Sequence, residues 1–200
     1  MTITLVETIR LRLIVVNPQH AEFISNMYNR DSVKYWLGEG YGLDTPKNVL
    51  NRLIIPLGET YYKQFGLAMC VIQEKSSGKL IGINGVIKRP FLDAPNIGYA
   101  LIPESWGKGY ATESCQGLVN YCSDLGYKKI YAGNIDARNK RSINVCRKLG
   151  MKLEDPSFEW GQGGTIGQLY GMGLNECEKK NNSCSDSLIF SLSDQLLQLS

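Results

Sequence analysis

Residues Tyr99 to Glu113 read YALIPESWGKGYATE. An apolar run from Ile97 to Ile102 is stopped by Pro103, and the chain then passes through Trp106, Gly107, Lys108, Gly109, Tyr110, Ala111 and Thr112 into a helical pattern. Two glycines in such a turn let the backbone fold tightly against a ligand, with several N–H groups pointing outward together. The helix that follows leaves its first N–H groups unpaired and carries partial positive charge at that end, so an anion sits well there. Two other phosphate loops are excluded. No G-x-x-x-x-G-K-[ST] run occurs, and Gly107–Lys108–Gly109 lacks the third glycine of the dinucleotide fingerprint.

A second element follows at a fixed distance. Asn139 to Ser142 reads NKRS and opens a helical stretch that closes on Lys148, Leu149, Gly150 and Met151. Asn and Ser suit a helix start because their side-chain oxygens accept orphan backbone N–H bonds, so capping alone would account for Asn139 and Ser142. Between the two elements lies a strand pattern, Lys129 to Asn134. Taken together they resemble the GCN5-related N-acetyltransferase (GNAT) family. Its pyrophosphate loop reads Gln/Arg-x-x-Gly-x-Gly/Ala, met here at Gly109 and Ala111, and its second element reads N-x-x-S/A before a helix ending K-L-G-F. Trp106 replaces the usual Gln or Arg, as in the ribosomal-protein N-terminal acetyltransferase branch, and Met151 replaces Phe. The resemblance covers roughly residues 5 to 174.

The resemblance implies an α/β fold with a central mixed, mostly antiparallel sheet of about seven strands flanked by about four helices. It implies acetyl-CoA as cofactor, with the backbone of Trp106, Gly107, Lys108, Gly109, Tyr110, Ala111 and Thr112 around the pyrophosphate. The strand edge at Tyr99, Leu101 and Ile102 would pair with the pantetheine, and Asn134 and Asn139 would contact that arm. The implied reaction is direct attack of an amine on the thioester, without a covalent enzyme intermediate. Its demands are cofactor binding, polarisation of the carbonyl and handling of two protons.

Proton handling is less legible. One branch of the family uses a Tyr seven residues after the motif Asn, and that position is Cys146 here. Ser142 is the remaining candidate for a hydroxyl near the CoA sulfur. For a base, Glu104 and Glu154 are the carboxylates nearest in topology, with plain surface carboxylates as the competing reading and a water chain as a substitute. Glu113 reads as support for the loop. The run Asp31 to Trp36 resembles a segment of the ribosomal-protein branch and places Tyr35 and Trp36 at the acceptor site. The acceptor is expected to be a primary amine on a peptide N-terminus or a small molecule.

Composition sets the outer limits. The 200 residues are 43% hydrophobic and 20% charged, enough apolar material for one sizeable core. A net charge of +3, without a Lys/Arg-rich run interleaved with aromatics, does not suggest a nucleic-acid partner. Six cysteines without a C-x-x-C and a lone histidine, His20, predict no metal centre. With no signal peptide or membrane span in view, a cytoplasmic protein with reduced thiols is expected.

Along the chain, strands are expected at Arg10–Val16, Leu67–Gln73, Leu80–Ile87, Ile97–Ile102 and Lys129–Asn134, with a closing pair at about residues 152–160 and 166–174. Asn17–Pro18 and Thr45–Pro46 start two helices between the first two strands, and a third runs from about Tyr110 to Leu125. Residues 1–175 form the expected catalytic domain. Residues 176–200 form a polar linker and an apolar stripe, Leu188, Ile189, Leu192, Leu196 and Leu199, suited to its own domain or to a homodimer. A non-catalytic acyl-CoA-binding regulatory or interaction protein stays open beside the enzyme.

Overall fold

The computed structural model describes residues 2–37, 42–161 and 164–174. Residues 176–200, with their apolar stripe and the suggested dimer contact, lie outside the described residues.

Two strands open the chain, β1 (Thr4–Glu7) and β2 (Leu11–Val15). Helices α1 (Ala21–Tyr28), α2 (Asp31–Leu37), α3 (Pro46–Val49), α4 (Ile55–Leu57) and α5 (Glu59–Phe65) follow, with a π-helical turn, Leu50–Ile54, fusing α3 to α4. Strands β3 (Met69–Glu74), β4 (Leu80–Ile87) and β5 (Asn96–Leu101) come next, then α6 (Tyr110–Asp124), β6 (Lys129–Ile135), α7 (Lys140–Lys148), β7 (Lys152–Glu159) and β8 (Ile166–Gly173). They form one 8-stranded sheet in the order β1-β2-β3-β4-β5-β6-β8-β7. Every neighbour pair is antiparallel except β5 and β6.

The α/β expectation therefore holds, with β1 adding a strand at one edge that the sequence pattern did not single out. The capping chemistry also holds. Asn17 accepts from the Gln19 N–H, and Thr45 accepts from the Asn48 N–H, each followed by a proline in the first turn. His20 completes the Asn17 cap by accepting from its backbone N–H at 3.1 Å, so the single histidine is structural.

Alternation splits the core between the two sheet faces. Leu11, Leu13 and Val15 of β2 point to the side covered by α6 and α7, where Leu118, Val119 and Ile143 are buried. Ile14 points to the other side, against Ile24 and Met27 of α1 and Val49 and Leu53 of the fused helix. Because both faces are covered, β4 is buried from Ile81 to Ile87, apolar but for Asn84, which donates to Ser114 Oγ at 2.9 Å.

Candidate active site: a parted sheet beside a glycine cradle

Parallel strands β5 and β6 share a single register pair, Asn96 with Tyr131. Beyond it they separate, for a local reason. The register of β6 against β8 shifts between Ala132 and Ile135, and Asn134 in that bulge has φ +58°. A residue inserted in one strand bends it away from its neighbour. The Gly133 N–H, denied a partner on β5, donates instead to Asn96 Oδ1 at 3.0 Å. Trp160 lies so close over this bend that a Cβ on Gly133 would sit 2.2 Å from its ring. The gap becomes a cavity of about 630 Å³, lined on one side by residues 96–101 and on the other by residues 132–136 and α7.

At the C-terminal end of β5 the cavity reaches the glycine turn. Gly107 has φ +76° and Gly109 φ +82°, a region that disfavours side chains, and a Cβ on Gly107 would meet nothing within 4 Å. The backbone N–H groups of residues 107–112 have no acceptor among the described residues. This is an open concave cradle of donors at a helix start, the shape and chemistry that suit a pyrophosphate. Gly107, Gly109, Tyr110, Ala111 and Thr112 line the cavity, whereas Lys108 lies outside the lining.

The loop is tied down from the far edge of the sheet. Glu113 accepts from Thr8 Oγ1 at 2.7 Å, from the Arg10 N–H at 2.8 Å and from Arg10 Nε at 2.6 Å. Arg10 Nη1 then donates to the Lys108 carbonyl at 3.0 Å. Burial alone would raise the Glu113 carboxyl, but the bonds from Thr8 and Arg10 outweigh it and hold the group below its usual range. Trp106 donates its indole N–H to the Leu101 carbonyl at 2.9 Å and carries the Arg141 guanidinium 5.0 Å above its ring. Where the motif has Gln or Arg, this chain has an aromatic that fastens the end of β5.

Tyr99, Leu101, Asn134, Asn139 and Ser142 all line the cavity, while Ile102 packs in the core beside it. Asn139 caps α7, its Oδ1 accepting from the Ser142 N–H at 3.1 Å, and Asn134 Oδ1 accepts from Thr165 Oγ1 at 2.8 Å. The phenol of Tyr99 is a further polar group in the gap, one that the motif spacing does not single out. Its register partner on β4 is Asn84, and it lines the gap together with Ser142. Burial pushes this phenol well up, while the Ser142 contact pulls less strongly the other way, so it stays protonated. Alternation along β5 was the available signal, since Ile97, Tyr99 and Leu101 share the α6–α7 face.

Neither carboxylate named as a base lies in the cavity lining. Glu104 is exposed and paired with Arg30. Its own backbone N–H and that guanidinium hold its carboxyl below the usual range. Glu154, on β7, pairs with Lys129 at 2.9 Å. Among the described residues the one acidic lining residue is Asp136, which accepts from Arg138 Nη2 at 2.6 Å and is pulled down to about 2 by that guanidinium. Cys146 is buried and its thiol is raised by burial to about 11, so it is no thiolate near neutral pH. Trp36 lines the cavity, and Tyr35 stands 65% exposed beside it with ring centroids 4.8 Å apart. Among the described residues no group of three or more metal-ligating side chains comes together.

A family profile described as acetyltransferase (GNAT) domain matches residues 10–152. The chain belongs to the GNAT acetyltransferase family. The family membership supports acetyl-CoA-dependent N-acetyl transfer, with acetyl-CoA as the cofactor. The chain is similar to the uncharacterized protein YkkB of Bacillus subtilis (strain 168), 29% identical over 104 residues. That match covers 49% of this chain and 58% of YkkB. Its fold is similar to that of the ribosomal-protein-S5-alanine acetyltransferase from Vibrio fischeri, with TM-score 0.69 and 20% identity over 88% of this chain and 98% of that one. The spermidine N-acetyltransferase from Vibrio cholerae, solved with CoA and spermine, gives TM-score 0.63 and 18% identity over 84% and 97%.

Proposed function

We propose that this chain is an acetyl-CoA-dependent N-acetyltransferase acting on a primary amine, on a peptide N-terminus or a small molecule, by direct attack in a ternary complex. The observation that carries the reading is the continuity of the glycine cradle at residues 107–112 with the gap between β5 and β6. Acetyl-CoA bound there supplies an activated acetyl thioester, and its thiol is released when a neutral amine takes the acetyl group. Names given to similar folds, for an alanine of ribosomal protein S5 and for spermidine, support an amine as acceptor.

The residues of the chain divide the work by position. The N–H groups of Gly107, Gly109, Tyr110, Ala111 and Thr112 hold phosphate oxygens, and Arg10 with Glu113 keeps that loop in shape. The unpaired edge of β5 at Tyr99 and Leu101 offers backbone groups to an extended ligand arm. Tyr99 and Ser142 converge in the gap, and their hydroxyls donate hydrogen bonds to negative charge that develops there. A phenol raised by burial serves better as a hydrogen-bond donor than as a full proton donor.

The acceptor ammonium has no carboxylate to receive its proton among the described lining residues, since Asp136 is held by Arg138. Water takes that proton, and the neutral fraction of the amine sets the rate. Four buried free cysteines, Cys70, Cys115, Cys122 and Cys146, fit a reducing compartment, which we take to be the cytoplasm. Release of thiol from acetyl-CoA against N-terminal peptides, amino acids, polyamines and aminoglycosides tests the reading. Silence across the panel with CoA still bound would favour an acyl-CoA-binding regulator.

A further inference from the structure

At the end of the gap opposite the glycine cradle, one cation has no counterion among the described residues. Arg89 follows β4 by two residues, and Ile87 of that strand pairs with Asn96 at the start of β5. The six residues of β5 therefore separate Arg89 from the cradle, roughly 17–20 Å by strand rise. Arg89 lines the cavity, and its guanidinium lies 5.8 Å over the Trp160 ring. Its Nε is buried and makes no hydrogen bond among the described residues, and no ion pair there includes it.

Trp160 is itself fixed. It packs over Gly133 at the bend of β6 and edge-on against Phe91, with centroids 5.2 Å apart, and against Phe158 at 6.0 Å. The aromatic floor thus places a fixed π face beneath the guanidinium, within cation–π range. The other lining cations belong elsewhere: Arg141 stacks over Trp106 by the cradle, and Lys148 sits at the end of α7. Among the described residues the only acidic one in the lining, Asp136, is taken by Arg138. This end of the cavity is cationic and carries an orphan donor that points to an anionic group.

We infer that Arg89, held over the Trp160 ring, binds a carboxylate of the acceptor, so that the preferred acceptor is a small amine bearing a carboxylate rather than a polyamine. A carboxylate accepting side-on from Nε–H and one Nη–H satisfies the orphan donor, the two-bond geometry that arginine favours. A polyamine brings further positive charge toward an unpaired guanidinium and is repelled. The inference rests on the acetyl-transfer reading and names the acceptor class for the same site.

The test compares kcat/KM for free α-amino acids, β-alanine and γ-aminobutyrate with the matching amides and with spermidine, in the full chain and in Arg89→Gln and Arg89→Lys. The same carboxylate amines are titrated calorimetrically into the CoA-loaded protein, a readout that needs no turnover. The expected result is a carboxylate-over-amide preference of tenfold or more, on the order of one charged two-bond contact. That ratio falls toward one in Arg89→Gln and is partly kept in Arg89→Lys, and CoA affinity is unmoved. Because the ratio is taken within each variant, a general loss of stability does not imitate it. A preference for amides or spermidine, or a ratio indifferent to Arg89→Gln, overturns the inference and leaves acetyl transfer standing. Arg89-dependent carboxylate binding without turnover upholds the inference and sinks the transfer reading. Absence of both overturns both.

Discussion

Arg10 and Glu113 lie 103 residues apart in the chain and meet at 2.6 Å, and the same guanidinium reaches the Lys108 carbonyl at 3.0 Å. The turn between β1 and β2 is thereby a brace for the phosphate loop. Glu113→Gln removes the charge and leaves the shape, so CoA affinity should fall by about threefold to tenfold with little change in kcat. Calorimetric titration and initial rates decide it, and an unchanged affinity would make the brace irrelevant to binding. The folded Glu113 carboxyl is lowered, so its contribution is present above the usual carboxylate range and is lost as pH falls through the folded value.

Gly109 sits at φ +82°, with the Arg10 guanidinium 3.4 Å from where a Cβ would be. Gly109→Val should strain that backbone, push on the brace and close the cradle, weakening CoA binding by at least about tenfold while α6 still forms. A circular dichroism spectrum like the parent's, together with undiminished CoA affinity, would move the pyrophosphate site elsewhere.

Tyr99→Phe and Ser142→Ala each remove a hydroxyl from the gap. Each should lower kcat by on the order of tenfold to a hundredfold and change KM for acetyl-CoA less. Because both hydroxyls line the same gap and serve the same developing charge, the double variant should lose less than the product of the two single losses. Additive losses would mean that they act on separate groups. Cys146→Ala, a small truncation in the core, should instead cost about 1 kcal/mol of stability and spare kcat.

The pH profile distinguishes the acceptor's own proton from an enzymatic base. Asp136 is pulled down to about 2 and Glu104 is also lowered, so both stay ionised from mildly acid to alkaline pH and contribute no limb near neutrality. The rate should rise with pH until the acceptor amine is neutral, and the midpoint should shift when an amine of different pKa is used. A midpoint that ignores the acceptor would reveal a base in the protein.

Much of this was readable from the chain because it depends on local chemistry. The Leu80–Ile87 strand, the proline starts after Asn17 and Thr45, and the turn at Gly107 to Gly109 each follow from residues adjacent in sequence. What escaped depends on distant pairing. β1 is a short edge strand whose pattern is weak by itself. The carboxylates of Glu104 and Glu154 were near the site in topology, but Arg30 and Lys129 hold them outside the cavity. Arg89 gains meaning only once Trp160, some seventy residues later, folds over Gly133.

The central claim, direct transfer in a ternary complex, is tested most closely by a single-turnover experiment with acetyl-CoA and excess protein, quenched and weighed by mass spectrometry. The account predicts that the acetyl group appears on the amine as thiol is released, and that the protein keeps its unmodified mass with or without acceptor, since the buried Cys115 and Cys146 thiols are raised to about 12 and about 11. An acetylated protein that forms without acceptor and then passes its acetyl group to the amine would contradict it.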